Sequence, residues 1–166
     1  LKALKALLYQ PTCTINGLIS GYAGKGSKTV LPHEATAKLD FRLVPNQSSS
    51  EIFQKLLNHL KKHEFGDLEI VKHGSTEPTR TPINDPFVKS VAKTAERIYG
   101  KRAVIYPTSA ASGPMHLFRK FLDCPVVSVG CGHPEANQHA PNENLKIESF
   151  INGTRFVAAL ISDFAH

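Results

Sequence analysis

The apolar residues of the opening octapeptide, Leu1-Lys2-Ala3-Leu4-Lys5-Ala6-Leu7-Leu8, recur at helical spacing, with Leu1, Leu4 and Leu8 on one face and no capping residue ahead of them. The pattern reads as a chain that opens inside a helix. Thr12 to Tyr22 is rich in Thr and Ile and runs into Gly24-Lys25-Gly26-Ser27-Lys28, a strand followed by a flexible turn. From Ala35 to Val44, Ala35, Ala37, Leu39, Phe41 and Leu43 alternate with Thr36, Lys38, Asp40 and Arg42. This period of two predicts an antiparallel strand with one face on a core and Arg42 on the polar face. Pro45 stops it. Ser48-Ser49-Ser50-Glu51 is a capping box, and Ile52, Phe53, Leu56, Leu57 and Leu60 predict an amphipathic helix to about His63, closed by Gly66. Leu68 to His73 predicts a third strand, giving β-β-α-β for this first region.

Gly74 to Asp85 contains two prolines and no apolar periodicity, and is read as a linker. Asp85-Pro86 then supplies an N-cap and a proline at the first helical position. Phe87, Val88, Val91, Ala92, Ala95 and Ile98 line one face of the helix, and Gly100 ends it. A strand over Ala103 to Tyr106, a helix over Gly113 to Leu122, a strand over Pro125 to Val129 and a long helix over Ile147 to Phe164 complete an α-β-α-β-α order. Such alternation predicts parallel strands covered by helices. The expected fold class is therefore α/β, with an antiparallel α+β region before the linker and a mostly parallel α/β region after it.

Composition adds limits to this pattern. With 166 residues, 41% hydrophobic and 20% charged, the chain has a globular composition. No apolar run reaches the roughly 20 residues of a membrane span. Three cysteines, Cys13, Cys124 and Cys131, without a CxxC spacing argue against a disulfide scaffold and point to a reducing compartment, the cytoplasm. The net charge of +6 is scattered and forms no tract longer than Lys61-Lys62. It suits anionic small substrates better than nucleic acid, so neither nucleic acid nor a membrane is expected as a partner.

Ligands of open parallel sheets collect at the carboxyl ends of strands, which directs attention to the loops after Tyr106 and Val129. The first, Pro107-Thr108-Ser109-Ala110-Ala111-Ser112-Gly113-Pro114, is small and hydroxyl-rich and leads into a helix. There Ser112 is either an anion contact or a plain helix cap. The second, Gly130 to Glu143, is a loop of about 14 residues, a length usually kept for function. It carries His133 and His139. His139 is either a metal ligand or an exposed imidazole, and His133 reads as surface.

In order, GYAGKGSKTVLP, AKLDFRLVPNQ, His73-Gly74, TSAASGP and QHAPNENL resemble the C-terminal half of the dinuclear zinc hydrolases. This is the family of acetylornithine deacetylase, succinyl-diaminopimelate desuccinylase, glutamate carboxypeptidase and cytosolic carnosine dipeptidase. The dipeptidase branch is the most similar, and the resemblance runs from about Tyr9 to Phe164. It implies that 1–79 is an N-terminally incomplete lid, or dimerisation, domain and that 80–166 is the C-terminal part of the catalytic domain. On this reading Leu1 is an interior residue of a larger, homodimeric hydrolase. His139, in its His-x-x-Asn-Glu setting, matches a metal ligand. Thr29, Arg42, His73, Ser112 and Gly113 match substrate-binding positions. Simple alternatives for three of them are a strand cap for Thr29, a salt bridge for Arg42 and a solvated ring for His73.

The implied chemistry is hydrolysis of the amide bond of a dipeptide or N-acyl amino acid by a water held between two zinc ions, with manganese or cobalt as alternatives. No catalytic residue is expected within the chain, because the general base and the oxyanion histidine match positions upstream of it. Where the dipeptidases carry Arg-Glu-Gly-Gly-Ser before Ile-Pro, this chain carries Thr108-Ser109-Ala110-Ala111-Ser112 before Gly113-Pro114, which leaves the exact substrate open. The expectation is weak zinc binding and no hydrolysis by these 166 residues alone. The other reading is a non-catalytic dimerisation or small-molecule binding module derived from the same family.

Overall fold

The computed structural model describes residues 1–165. The elements run α1 (Lys2–Tyr9), β1 (Thr12–Ser20), β2 (Ala35–Arg42), α2 (Ser49–Lys62), α3 (Pro86–Tyr99), α4 (Met115–Leu122) and α5 (Ile147–Phe164). They fall into two compact units. The first comprises Leu1–Thr79 with Thr108–His116, and the second comprises Arg80–Pro107 with the chain from Leu117 onward.

In the first unit β1 and β2 pair antiparallel, from Thr12 opposite Arg42 to Ser20 opposite Ala35. The register slips between Ile15 and Gly17, where Ile15 faces Leu39 and Gly17 faces Lys38. This β-bulge leaves Asn16 unmatched and repairs a flaw in the pattern. Without it, Leu18 would lie on the face opposite Ile15; with it, Ile15 and Leu18 share a face with Leu39 and Ala37. Beyond Arg42 the ladder stops, because the Val44 amide donates to Gln47 Oε1 at 3.1 Å and turns the chain. Helix α2 begins where the hydroxyl pattern placed it: Ser48 Oγ accepts from the Glu51 amide at 3.2 Å. It ends before Gly66, with His63 as its C-cap and Glu64 at a φ of 65°.

The second unit is built on α3 against α5. Asp85 Oδ1 accepts from the Phe87 amide at 2.8 Å, Pro86 opens α3, and Gly100 closes it at a φ of 62°. That left-handed conformation is nearly free for glycine. The start of α3 meets the end of α5 through Phe87 and Phe164, edge to face at 5.6 Å, and Tyr99 lies 5.9 Å from Phe156. Val88, Val91 and Phe156 are buried, and so is Thr94, whose hydroxyl donates to Asp163 Oδ2 at 2.5 Å.

The strands expected at Leu68 to His73, Ala103 to Tyr106 and Pro125 to Val129 are not formed among the described residues, so the expected parallel sheet is absent. The fold is mixed α/β with one two-stranded antiparallel sheet. Periodicity finds a segment that could join a sheet, but a ladder also needs a partner with free N–H and C=O groups. Val126 shows the substitute: its amide donates to Thr81 Oγ1 at 2.9 Å, and its carbonyl accepts from the same hydroxyl at 2.7 Å. Among the described residues no helix is long and apolar enough to cross a membrane.

Candidate functional site

Arg42 is the last residue of β2. Its position on the polar face carries the guanidinium away from Phe41 and Leu39, toward Asp40 and the Thr108–His116 segment of the same unit. Nε lies 3.0 Å from Asp40 Oδ1, and Nη1 donates to Ser112 Oγ at 2.5 Å. These bonds use two of the five donors of the guanidinium. Both carboxylate and hydroxyl fix its plane.

Arg42, His73, Ser112 and Gly113 line one cleft of about 820 Å³ in the first unit. Four of the five expected substrate-binding residues therefore share a space. The fifth, Thr29, is exposed in the loop between β1 and β2 and does not line the cleft.

Glu77, from the segment read as a linker, also lines this cleft. Its carboxylate accepts from the Ser49 amide at 3.0 and 3.3 Å and from the Ser49 hydroxyl. The hydroxyl hydrogen bond, then the backbone one, holds the Glu77 carboxyl below the usual carboxylate range, and His116 and Lys72 add smaller electrostatic contributions. Nothing local in Gly-Ser-Thr-Glu-Pro announces this role, since the partner is 28 residues away. His116 also escapes a sequence reading. Its Nδ1 is buried without a hydrogen-bond partner.

His139 is exposed in the second unit with its backbone at a φ of 61°. The loop around it is tied down by the other histidine. The His133 side chain retains only 9% of its exposure, with Nδ1 3.2 Å from Glu135 Oε2 and Nε2 3.0 Å from Asn144 Oδ1. The reading of His133 as surface is therefore corrected: its ring is largely covered and bonded to partners 2 and 11 residues away, the farther of which no periodicity links to it. The His133 hydrogen bond is the main cause that lowers the Glu135 carboxyl.

Among the described residues no three His, Cys, Asp or Glu side chains converge as a metal site would require. Among the described residues His139 belongs to no group of three such side chains, and one imidazole does not make a zinc centre. The residues present do not fit a complete metal site by themselves.

A family model described as Peptidase family M20/M25/M40 matches residues 3–163. The Beta-Ala-His dipeptidase of Mus musculus is 21% identical over 160 residues, covering 93% of this chain and 32% of that protein. The Cys-Gly metallodipeptidase DUG1 of Candida albicans is 26% identical over 156 residues, covering 87% of this chain and 31% of that protein. The chain thus spans about a third of the length of the curated relatives it matches. Among solved structures, the M20 family metallo-carboxypeptidase Sso-CP2 from Sulfolobus solfataricus superimposes with a TM-score of 0.87 at 43% identity, over 96% of this chain and 37% of that one. Human carnosine dipeptidase 1 shares the fold, with a TM-score of 0.79 at 22% identity, over 99% of this chain and 36% of that one. The resemblance read from the five motifs is confirmed by a match over nearly the whole chain: it belongs to peptidase family M20/M25/M40.

Proposed function

We propose that the chain forms part of a metal-dependent hydrolase that cleaves the amide bond of a dipeptide or N-acyl amino acid. In this reading 1–79 acts as a lid through which a homodimer forms, and 80–166 is a C-terminal part of a catalytic α/β domain whose remaining strands and metal ligands lie outside these residues. Arg42, His73, Ser112 and Gly113 receive the carboxylate end of the substrate, Thr29 contacts it from its exposed loop, and His139 contributes one ligand to a zinc pair. A cytoplasmic enzyme fits the three unpaired cysteines. Dipeptidases and a metallo-carboxypeptidase among the relatives support a substrate that ends in a free carboxylate.

The observation that carries the reading is Arg42. A guanidinium offers a planar fork that matches a carboxylate in two bonds, and here its plane is fixed at the wall of a cleft by Asp40 and Ser112. Lysine in its place keeps the charge and loses the fork.

The test uses the complete gene product. Arg42→Lys is expected to raise KM for a dipeptide by about ten-fold or more while kcat changes less; an unchanged KM removes Arg42 from substrate binding. His139→Ala is expected to lose one of the bound metals together with turnover, and unchanged metal content and turnover overturn its ligand role.

A further inference from the structure

The loop from Gly132 to Asn144 is polar, long and outside any regular element, yet its two ends are hydrogen-bonded to each other. Asn137, His139 and Asn142 all have left-handed backbones, at φ values of 51°, 61° and 63°. Asn and His enter that region more readily than other residues with a Cβ, but still at a cost, and three within six residues call for support from the contacts around them.

The holding contacts converge on two side chains. The nearly buried His133 ring reaches Glu135 with one nitrogen and Asn144 Oδ1 with the other. Asn144 in turn donates Nδ2 to the carbonyls of Glu135 at 3.2 Å and Asn142 at 3.0 Å, which fixes the orientation of its amide. Its backbone amide closes onto the Ala136 carbonyl at 3.0 Å, and the Ala136 amide onto the His133 carbonyl at 3.1 Å. The two ends of the loop are thereby joined across the segment 137–142, with His139 at its middle.

We infer that His133 is a positioning residue. Its imidazole and the Asn144 carboxamide form a clasp that imposes the left-handed turns at Asn137, His139 and Asn142, and so fixes the direction in which His139 leaves the loop. The inference rests on the reading of His139 as a metal ligand for its purpose, but not for its geometry. The clasp holds with or without metal. A preset loop removes the ordering cost that a mobile ligand would carry at the moment of binding.

The experiment is amide hydrogen exchange on the 166-residue chain, comparing His133→Ala, His133→Gln and the parent. Loss of two ordinary hydrogen bonds corresponds to roughly a ten-fold or larger rise in loop opening. In His133→Ala, the hydrogen-bonded loop amides of Ala136, Ala140 and Asn144 are expected to exchange at least about ten-fold faster, while those of α3 and α5 keep their protection. Glutamine can still donate to Asn144 Oδ1, so His133→Gln is expected to return the loop to within about three-fold of the parent. Unchanged exchange in His133→Ala overturns the inference, and so does a glutamine variant as open as the alanine one. Should His133→Ala also unprotect α3 and α5, His133→Gln alone decides by the same criterion. These readouts use no metal. A loop that opens while His139→Ala keeps its metal removes the ligand role and leaves the clasp; a loop that stays closed does the reverse.

Discussion

At the scale of single residues, the most constrained polar group is Thr94, 2% exposed and bonded to Asp163. Arg97 Nη2 reaches both oxygens of the same carboxylate, at 2.8 and 2.6 Å. The threonine hydroxyl and then the Arg97 hydrogen bond hold the Asp163 carboxyl below its ordinary value. A lowered carboxylate stabilises the folded chain above the unfolded value near 3.9, and that contribution fades as pH falls through the lower folded value. Urea midpoints are therefore expected to drop on acidification below about pH 4, and Thr94→Val should be less stable than the parent at pH 7 with a gap that narrows in acid. Equal midpoints at pH 7 would show that the hydroxyl does not matter. Sequence could not disclose this trio: Thr94 looks like one more small residue on an apolar helical face, and its partner lies 69 residues away. Arg42 was legible because strand alternation assigns its face and its motif resembles a family motif. His133 was not, since burial of a loop histidine depends on who meets it.

At the scale of elements, the helices are the parts that local chemistry specifies. α3 carries its own start in Asp85-Pro86, its own stop in Gly100 and a periodic apolar face, and α5 lies where its periodicity put it, Ile147–Phe164. Strands lack that autonomy. The segments 68–73, 103–106 and 125–129 have strand-like composition and no ladder, because the second half of a strand is a neighbour. Helix α2 stands between the cases. Ser48 caps it from within, but the Ser49 amide is capped by Glu77 from a distant strap. Glu77→Gln keeps the shape and removes the charge that suits a helix N-terminus. The expected cost is modest, a few tenths to about 1 kcal/mol for so exposed a group. Faster amide exchange confined to the first turn of α2 is the expected signature, and unaltered exchange there would show the contact to be idle.

At the scale of the whole molecule, what stands out is how much apolar surface stays bare. Ile147 keeps 79% of its exposure, Phe121 71% and Leu122 67%. Faces of this kind are built to meet other surfaces. An apolar fluorescent dye is expected to bind the native chain well below its unfolding temperature; failure to bind would show these faces to be covered in solution.

The composition of the first unit has a consequence for the order of synthesis. Residues Thr108–His116 belong to it, although the chain has by then contributed Arg80–Pro107 to the other unit. A ribosome that has released the chain as far as residue 79 has delivered the guanidinium of Arg42 but not its Ser112 partner. The cleft wall therefore matures late, after roughly thirty further residues have emerged, and a segment cut at residue 79 omits part of its own cleft wall however well its sheet forms.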